Sequence, residues 1–365
     1  MTNKFIARSS AELVTAITLA CLSPMAAAAG VSFTTFTSAA DIFLAEGQNN
    51  TIGITYAGNK FVGSVYFGAN NLQLFQTDLA GNNASLFGAP MPTGGGEPVL
   101  AASLGLGGFG AGNIYASGSD NKIYMYGNAG GTPTLFGTTD DGSGVRQIFF
   151  DPGSSFGGKM IVTTTSGHIL TFDNAGNKIL LANIGQDTEG MDIASGKYGK
   201  YAGQLLVASE GSGQVHAISA TGVVTLLKTA SGGALFVPTI ETVSTVPLNL
   251  GDSGNPLEGF YVANYPFNIQ KADASQFLAY KGDTIFTSEF GSNSTIWDLI
   301  YAGDSADSFS VLDIGALPNQ SEDGIFVTAQ RIQDITGNNV PEPSSLALLG
   351  LGLAAVTLRR RDKNI

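Results

Sequence analysis

Cysteine is almost absent from this sequence: the only one among 365 residues is Cys21. It lies in an N-terminal apolar stretch that we expect to be removed, so the mature protein is expected to have neither a disulfide nor a thiol nucleophile. Histidine is nearly as rare, with only His168 and His216, and we interpret both as solvated sheet positions. Catalysis or zinc binding by a histidine cluster is therefore not expected.

Charge is also scarce and mostly of one sign. Only 13% of the residues are charged, with 29 Asp and Glu against 17 Lys and Arg. The net charge of −12 would repel nucleic acid, so no nucleic-acid partner is expected. Glycine, by contrast, is abundant at 49 residues. This combination favours an all-β, turn-rich, extracytoplasmic protein.

The first 29 residues have the pattern of a secretory signal peptide. Lys4 and Arg8 precede an apolar stretch at 13–22, and small residues follow it. Ala27 and Ala29 fit the A-x-A rule for signal cleavage. We therefore predict that residues 1–29 are removed during export.

The C-terminal segment, residues 336–365, contains a spacer and a short proline motif. Val340 precedes Pro341-Glu342-Pro343, in which the two prolines keep the backbone extended. An extended and accessible backbone is what a processing enzyme requires. This tripeptide is therefore the predicted processing site.

An apolar segment follows at 344–358, and a basic cluster, Arg359, Arg360 and Arg361, comes directly after it. As a helix, the apolar run is roughly 20 Å long, a marginal span for a hydrocarbon core of roughly 30 Å. The arginines would hold its end on the cytoplasmic side. The apolar residues predicted to enter the membrane are Leu346, Leu348, Leu349, Leu351, Leu353, Val356 and Leu358.

This order of proline motif, apolar helix and arginines resembles the PEP-CTERM sorting signal of Gram-negative bacteria. The resemblance implies that an exosortase, a membrane transpeptidase-like enzyme, recognises Pro341-Glu342-Pro343 and cleaves nearby. It also implies export across the inner membrane, a transient stay in that membrane, and a final place at the cell surface or in the medium. A tail that is never cut, and so acts as a permanent anchor, is the alternative.

The body of the chain, residues 30–335, is repetitive. A strand that ends in a short polar turn with glycine recurs every 46 to 49 residues, at Gly81, Gly130, Gly176 and Gly222. A period near 46 with about four short strands per unit is typical of a β-propeller. We therefore predict an all-β, six-bladed propeller, with seven blades as the alternative and with an N-terminal signal helix and a C-terminal hydrophobic helix on either side.

Six segments are predicted to be the first, channel-lining strand of a blade: 50–57, 97–103, 145–151, 189–195, 240–246 and 296–302. The early segments 31–36 and 41–46 are predicted to pair into the last unit and close the ring. Residues 318–339 are interpreted as a last strand and a spacer. The connector FDPGSSFGGKMIV, ending at Val162, loosely resembles those of NHL and gluconolactonase-like six-bladed propellers, which implies only the fold.

Aligning the predicted channel strands brings Glu97, Glu189 and Glu241 together, with Arg146 among them and Asp298 one place off. Converging carboxylates can hold a hard cation such as Ca²⁺. They can also supply acid–base groups for a lactonase-type hydrolase, which is what the gluconolactonase-like resemblance implies. The simpler interpretation is a polar, water-facing channel in which one carboxylate pairs with the arginine. Neither a catalytic residue nor a required cofactor is predicted.

Two functions fit these observations. The favoured one is an exported surface or matrix protein that acts by binding an exopolysaccharide, another surface protein or a small ligand. The alternative is a secreted, metal-dependent hydrolase of the lactonase type. Binding is favoured because the export signals are specific, whereas the catalytic constellation is weak.

Overall fold

The computed structural model describes residues 30–68, 72–118, 120–139, 142–153, 155–289 and 294–337. These residues form six antiparallel sheets of four strands each. The innermost strands of neighbouring sheets lie side by side around a central channel. The predicted all-β, six-bladed propeller is thereby confirmed, and the seven-bladed alternative is wrong. The predicted signal helix and the predicted tail helix lie outside the described residues.

The first four blades are each built from one contiguous stretch of chain. Strand β1 (Thr34–Thr37) and helix α1 (Ala39–Glu46) precede them. The strands of these blades, each blade beginning with its innermost strand, are β2 (Thr51–Tyr56), β3 (Phe61–Val65), β4 (Leu74–Thr77) and β5 (Ser85–Phe87); β6 (Pro98–Ala102), β7 (Ile114–Gly118), β8 (Lys122–Gly127) and β9 (Gly130–Thr138); β10 (Val145–Phe150), β11 (Met160–Thr164), β12 (His168–Phe172) and β13 (Lys178–Asn183); and β14 (Met191–Ile193), β15 (Leu205–Ala208), β16 (Val215–Ile218) and β17 (Val224–Leu226).

Blades 5 and 6 are interleaved. The remaining strands are β18 (Ile240–Thr245), β19 (Gly259–Tyr265), β20 (Asn268–Asp273), β21 (Thr284–Ser288), β22 (Ser294–Tyr301), β23 (Phe309–Leu317) and β24 (Gln320–Val327). From the channel outwards, blade 5 has the order β18-β21-β22-β23 and blade 6 the order β24-β19-β20-β1. The chain therefore leaves blade 5 after its first strand, forms a hairpin of blade 6, and then returns.

Five of the six predicted channel strands are confirmed: they are β2, β6, β10, β14 and β18. The prediction for 296–302 is wrong, because this segment belongs to β22, the third strand of blade 5. The sixth channel strand is β24. The β19–β20 hairpin lies between β18 and β21 in the sequence, so a count at a constant period reaches the wrong strand.

The ring closes through the N-terminal strand, as predicted for the early segments. Strand β1 pairs with β20 and forms the outer edge of blade 6. The other early segment, 41–46, was predicted as a strand but belongs to helix α1. The Oγ of Ser38 caps this helix by accepting the N–H of Asp41 at 3.1 Å, and Gly47, with a φ of 75°, ends it.

The glycine of the repeated turn has two roles. In blade 3, one carboxylate oxygen of Asp173 accepts the N–H groups of Ala175 at 3.0 Å and Asn177 at 2.9 Å, and Gly176 has a φ of 83°. A Cβ at Gly176 would lie 2.5 Å from the carbonyl oxygen of Phe136, in the outermost strand of blade 2. The turn is thus pressed against the preceding blade, so each repeat contains a hairpin and a contact with its neighbour.

Aromatic rings fill the gaps between blades. Tyr115 of blade 2 and Phe150 of blade 3 meet edge to face with centroids 5.2 Å apart. Phe61 of blade 1 and Tyr261 of blade 6 lie 4.5 Å apart. All four rings are buried. Because such contacts recur around the ring, apolar burial holds the blades together.

Helix α2 (Ala329–Thr336) follows the last channel strand and lies at the end of the channel where the channel strands finish, which we call the lower end. The prediction of a strand within 318–339 is correct, but part of the predicted spacer forms this helix. The Oγ1 of Thr328 caps it. Ile335 is buried against Gly58, in the turn between β2 and β3, so the helix is fixed across the blade 1 side of the channel.

Candidate functional site

At the upper end of the channel, where the channel strands begin, acidic side chains surround Arg146 of β10. The guanidinium forms ion pairs with Glu97 at 3.2 Å, Asp187 at 2.6 Å and Glu189 at 2.9 Å. Glu97 precedes the channel strand of blade 2, and the other two precede that of blade 4. One cation therefore links three consecutive blades at this mouth.

β-Bulges aim these side chains into the channel. In four channel strands, the pairing with the second strand skips one residue. Such a bulge redirects a side chain away from the regular alternation of a strand. The skipped residues are Ile52, Arg146, Glu241 and Glu322, and all of them line one small cavity of about 50 Å³.

Burial and mutual repulsion keep protons on this acidic cluster. Burial, followed by neighbouring carboxylates, raises the pKa of Glu241 well above its ordinary range. Burial also raises the pKa of Glu189 strongly, although Arg146 opposes this shift. The pKa of Glu289 is raised to about 9 and that of Glu322 to about 8, in both cases mainly by burial. At neutral pH the cluster thus carries fewer negative charges than it has carboxyl groups.

The three predicted metal ligands, Glu97, Glu189 and Glu241, do line the same small cavity. Two of them already pair with Arg146. Within the described ranges, no three acidic, histidine or cysteine side chains form a group that could hold a metal ion. A divalent cation here would meet the positive charge of the guanidinium, and Ca²⁺ at this mouth remains a prediction.

Two residues interpreted from the sequence lie in other places than expected. Asp298, placed near the ring of carboxylates, is in β22 of blade 5, because 296–302 is not a channel strand. It is buried, and burial raises its pKa to about 7. His216 was interpreted as solvated, but it is buried in the third strand of blade 4, and burial lowers its pKa.

A larger cavity, of about 370 Å³, lies at the lower end of the channel. We call it the lower pocket. It lies between α2 and the lower parts of the channel strands. Apolar side chains make up much of its wall, among them Leu100, Ile148, Phe150, Val243, Leu248 and Ile325. The charged groups that line it are Asp192, Asp323, Arg331 and Asp334.

Two of these carboxylates link neighbouring blades. Asp192 accepts the N–H of Thr245 at 2.7 Å, which joins blades 4 and 5. Asp323 accepts the N–H of Ile54 at 2.9 Å, which joins blades 6 and 1. Burial raises the pKa of each aspartate to about 7, and the hydrogen bonds to backbone N–H groups oppose this shift. Both carboxylates are therefore held in fixed positions on the wall of the pocket.

Arg331 of helix α2 brings a positive charge to the lower pocket. Its Nε is buried and has no hydrogen-bond partner among the described residues. Burial lowers its pKa to about 10, against the attraction of Asp192, Asp323 and Asp334. A buried donor without a partner is costly, so it is a group that a bound molecule can satisfy.

Sequence reasoning missed the lower pocket because it interpreted the segment after β24 as a spacer. The signal was present: Thr328 stands at a helix N-cap, Arg331 follows three residues later, and Gly337 stands where a helix ends. The second acidic residue in Glu322-Asp323 was a further signal, because it follows the bulge and turns towards the lower half of the channel.

Residues 339–361 match the PEP-CTERM protein-sorting motif. This chain carries a PEP-CTERM sorting signal. The match includes the predicted tripeptide at 341–343, the apolar segment and the arginines. The signal implies export, a C-terminal membrane-anchoring segment and processing by an exosortase. No curated protein matches the chain.

Solved structures of other proteins align with the body of the chain. A protein provisionally named a gluconolactonase aligns with a TM-score of 0.50 and 11% identity, over 81% of this chain and 84% of its own. An inactive variant of virginiamycin B lyase from Staphylococcus aureus, solved with quinupristin, aligns with a TM-score of 0.43 and 14% identity, over 78% and 88% of the two chains. The first of these alignments, at 11% identity, indicates a shared fold and transfers no activity.

The described chain ends at Gly337, directly after α2, so it leaves the propeller at the lower face. In the sequence, the sorting signal at 339–361 begins two residues after Gly337. No helix among the described residues is long and apolar enough to cross a membrane. The predicted apolar helix at 344–358 is outside those residues.

Proposed function

We propose that this protein is a cell-surface or extracellular-matrix propeller that acts by binding a small ligand in the lower pocket. The sorting signal supports the destination, since it implies export and exosortase processing. The lower pocket supports the mode of action. The single observation that carries the proposal is a cavity of about 370 Å³ lined by Arg331, whose buried Nε has no hydrogen-bond partner in the described part of the chain.

The volumes of the two cavities favour the lower pocket over the upper mouth as the ligand-binding site. Ligand pockets usually measure about 300–1,000 Å³ and combine apolar walls with a few fixed polar groups. The lower pocket has both features, whereas the cavity at the upper mouth, of about 50 Å³, has room for little more than a water molecule or an ion. A small molecule, or one end of a larger one, is therefore the ligand of suitable size.

The alternative is a secreted, metal-dependent lactonase that uses Glu97, Glu189 and Glu241 at the upper mouth. The ion pairs of Arg146 argue against it, because the guanidinium is already paired with two of these carboxylates. Losing this pairing would leave Glu189 as a buried charge without compensation. We therefore assign the carboxylate cluster to the joining of blades 2, 3 and 4.

A screen of small molecules by ligand-observed NMR, with the soluble propeller (residues 30–337), tests the proposal. Ser244 lines the lower pocket and is buried, so Ser244→Leu fills the cavity while Ser244→Ala leaves it open. A binder should be lost in Ser244→Leu and kept in Ser244→Ala. The proposal fails if binders are instead lost in Glu241→Gln at the upper mouth, or if the protein hydrolyses lactones when Ca²⁺ is added.

A further inference from the structure

We propose that the ligand of the lower pocket is an uncharged sugar residue at the end of a glycan chain. This inference rests on the proposed function, since it names the ligand of that same pocket. It derives from the kind of hydrogen-bonding group at each wall, from the balance of charge and from the shape of the cavity.

The donor is on the helical wall. Arg331 lies in the first turn of α2, where its backbone N–H donates to the Oγ1 of Thr328 at 3.1 Å. At the other end of the helix, Ile335 is buried against Gly58. Both ends of α2 are thus fixed, and the guanidinium lines the lower pocket with an Nε that no described residue pairs. A ligand that offers an acceptor beside this guanidinium would be stabilised.

The acceptors are on the strand walls. Asp192 and Asp323 each receive a backbone N–H from the neighbouring blade, at 2.7 and 2.9 Å. A carboxylate oxygen has two lone pairs, so each of these oxygens can accept a second donor. Since the blades hold both groups in place, binding a donor there costs little reorganisation. A ligand must therefore offer donors as well as an acceptor.

The balance of charge favours a neutral ligand. An anionic ligand would gain from Arg331 but would be repelled by Asp192, Asp323 and Asp334, which line the same pocket. A cationic ligand would gain from the aspartates but would be repelled by the guanidinium. A hydroxyl group meets neither penalty, because it donates to a carboxylate and accepts from a guanidinium. Several hydroxyl groups on one ring would satisfy the donor and the acceptors together.

The apolar walls suit the remaining surface of a sugar ring. Between the polar groups, the ligand would contact Leu100, Ile148 and Phe150, which can cover the C–H faces of such a ring. Towards the upper channel, a separate cavity of only about 20 Å³ shares Leu100, Gln147 and Asp323 with the wall of the lower pocket. That cavity is too small for a further sugar residue, so the lower pocket would hold a terminal one.

The test is calorimetric titration of residues 30–337 with matched probes: glucose and galactose, their uronic acids and their 2-amino forms, and short neutral oligosaccharides. A neutral sugar should bind at least tenfold more tightly than its charged counterparts. Arg331→Met and Asp192→Asn should each weaken it about 10- to 100-fold, the usual loss for a hydrogen bond to a charged group. Glu241→Gln at the upper mouth is the matched control and should bind as the wild type does.

The outcomes separate this inference from the proposed function. Binding that is abolished by Ser244→Leu shows that the lower pocket is the binding site. If the molecule bound best there is a uronic acid, an amino sugar or not a sugar at all, the proposed ligand class is wrong. If neutral sugars bind equally well to Ser244→Leu, the pocket is not the site and both proposals fail. Because Arg331→Met could disturb α2, the melting temperatures of this variant and of Asp192→Asn are compared with that of the wild type. Arg331→Lys keeps a charged donor and should retain part of the affinity.

Discussion

Replacing Arg146 by glutamine should destabilise the propeller in a manner that depends on pH. The side chain pairs with three carboxylates, but these are not equally exposed: Glu189 is 6% exposed, Asp187 35% and Glu97 45%. Solvent screens the pair with Glu97, so that pair contributes little. Most of the loss comes from Glu189, which would be left as a buried charge without its partner.

Breaking a buried ion pair by removing one partner typically costs about 3–5 kcal/mol. Since one pair out of three is buried, we expect a loss of about 3 kcal/mol in the free energy of unfolding at pH 8. At pH 5 the loss should be below about 1 kcal/mol, because Glu189 can bind a proton at a lower cost when its pKa is already raised. Urea denaturation of residues 30–337, followed by circular dichroism at both pH values, measures the difference.

Lys200→Gln is the matched control. Lys200 forms an ion pair with Asp307 at 2.7 Å, but both side chains are nearly half exposed. This variant should lose little stability at either pH, since exposed pairs are screened. An equal loss for Arg146→Gln at pH 5 and pH 8 would refute the electrostatic account and would point to packing. A loss as small as that of Lys200→Gln would show that the three pairs do not join the blades.

Three further predictions concern the whole fold and its processing. The melting temperature of the wild type should fall from pH 5 to pH 9, because carboxyl groups such as Glu322, with a pKa of about 8, bind protons more tightly in the folded than in the unfolded chain. Glu322→Gln should reduce this fall. A melting temperature that rises with pH would contradict the assignment. Gly190→Ala should cost about 1–3 kcal/mol, because the new Cβ would overlap the backbone nitrogen of Val243 in the next blade, whereas Gly211→Ala, in open space, should be neutral in the same urea assay. Intact mass of the protein from surface and medium fractions of its native host should show a C-terminus close to Pro341, and a species that retains the full tail would show that the signal is not cleaved.

The sequence predicted the propeller because a strand followed by a turn with glycine recurs in successive units. The turns with Gly81, Gly130, Gly176 and Gly222 are spaced by the length of one blade, and the structure shows why glycine recurs there. Contact with the preceding blade excludes a side chain at Gly176. Because the same contact between neighbouring blades recurs in each repeat, glycine recurs at the same spacing in the sequence. This spacing can be recognised without a structure.

The candidate site was only partly predictable, for two reasons. A bulge shifts side chains by one position along a strand. The sequence pattern did not predict that Glu322 lines the same cavity as Arg146 and Glu241. The lower pocket depends on a helix from outside the repeat, whose Arg331 meets residues that are distant in the sequence. A search for a repeat period does not detect features that interrupt the repeat. The candidate site is built from such features, namely the bulges and helix α2.

The interleaving of blades 5 and 6 affects the order in which the exported chain can fold. Blades 1 to 4 each consist of one contiguous segment, so each has all of its strands once that segment has been exported. Blade 6 needs both β1, from the start of the chain, and β24, which ends at Val327. The ring therefore stays open until translocation has almost reached the sorting signal at 339–361. Completion of the propeller and arrival of its membrane-anchoring signal are thus close in time, and a chain cut short before β24 would expose an unpaired sheet edge outside the membrane.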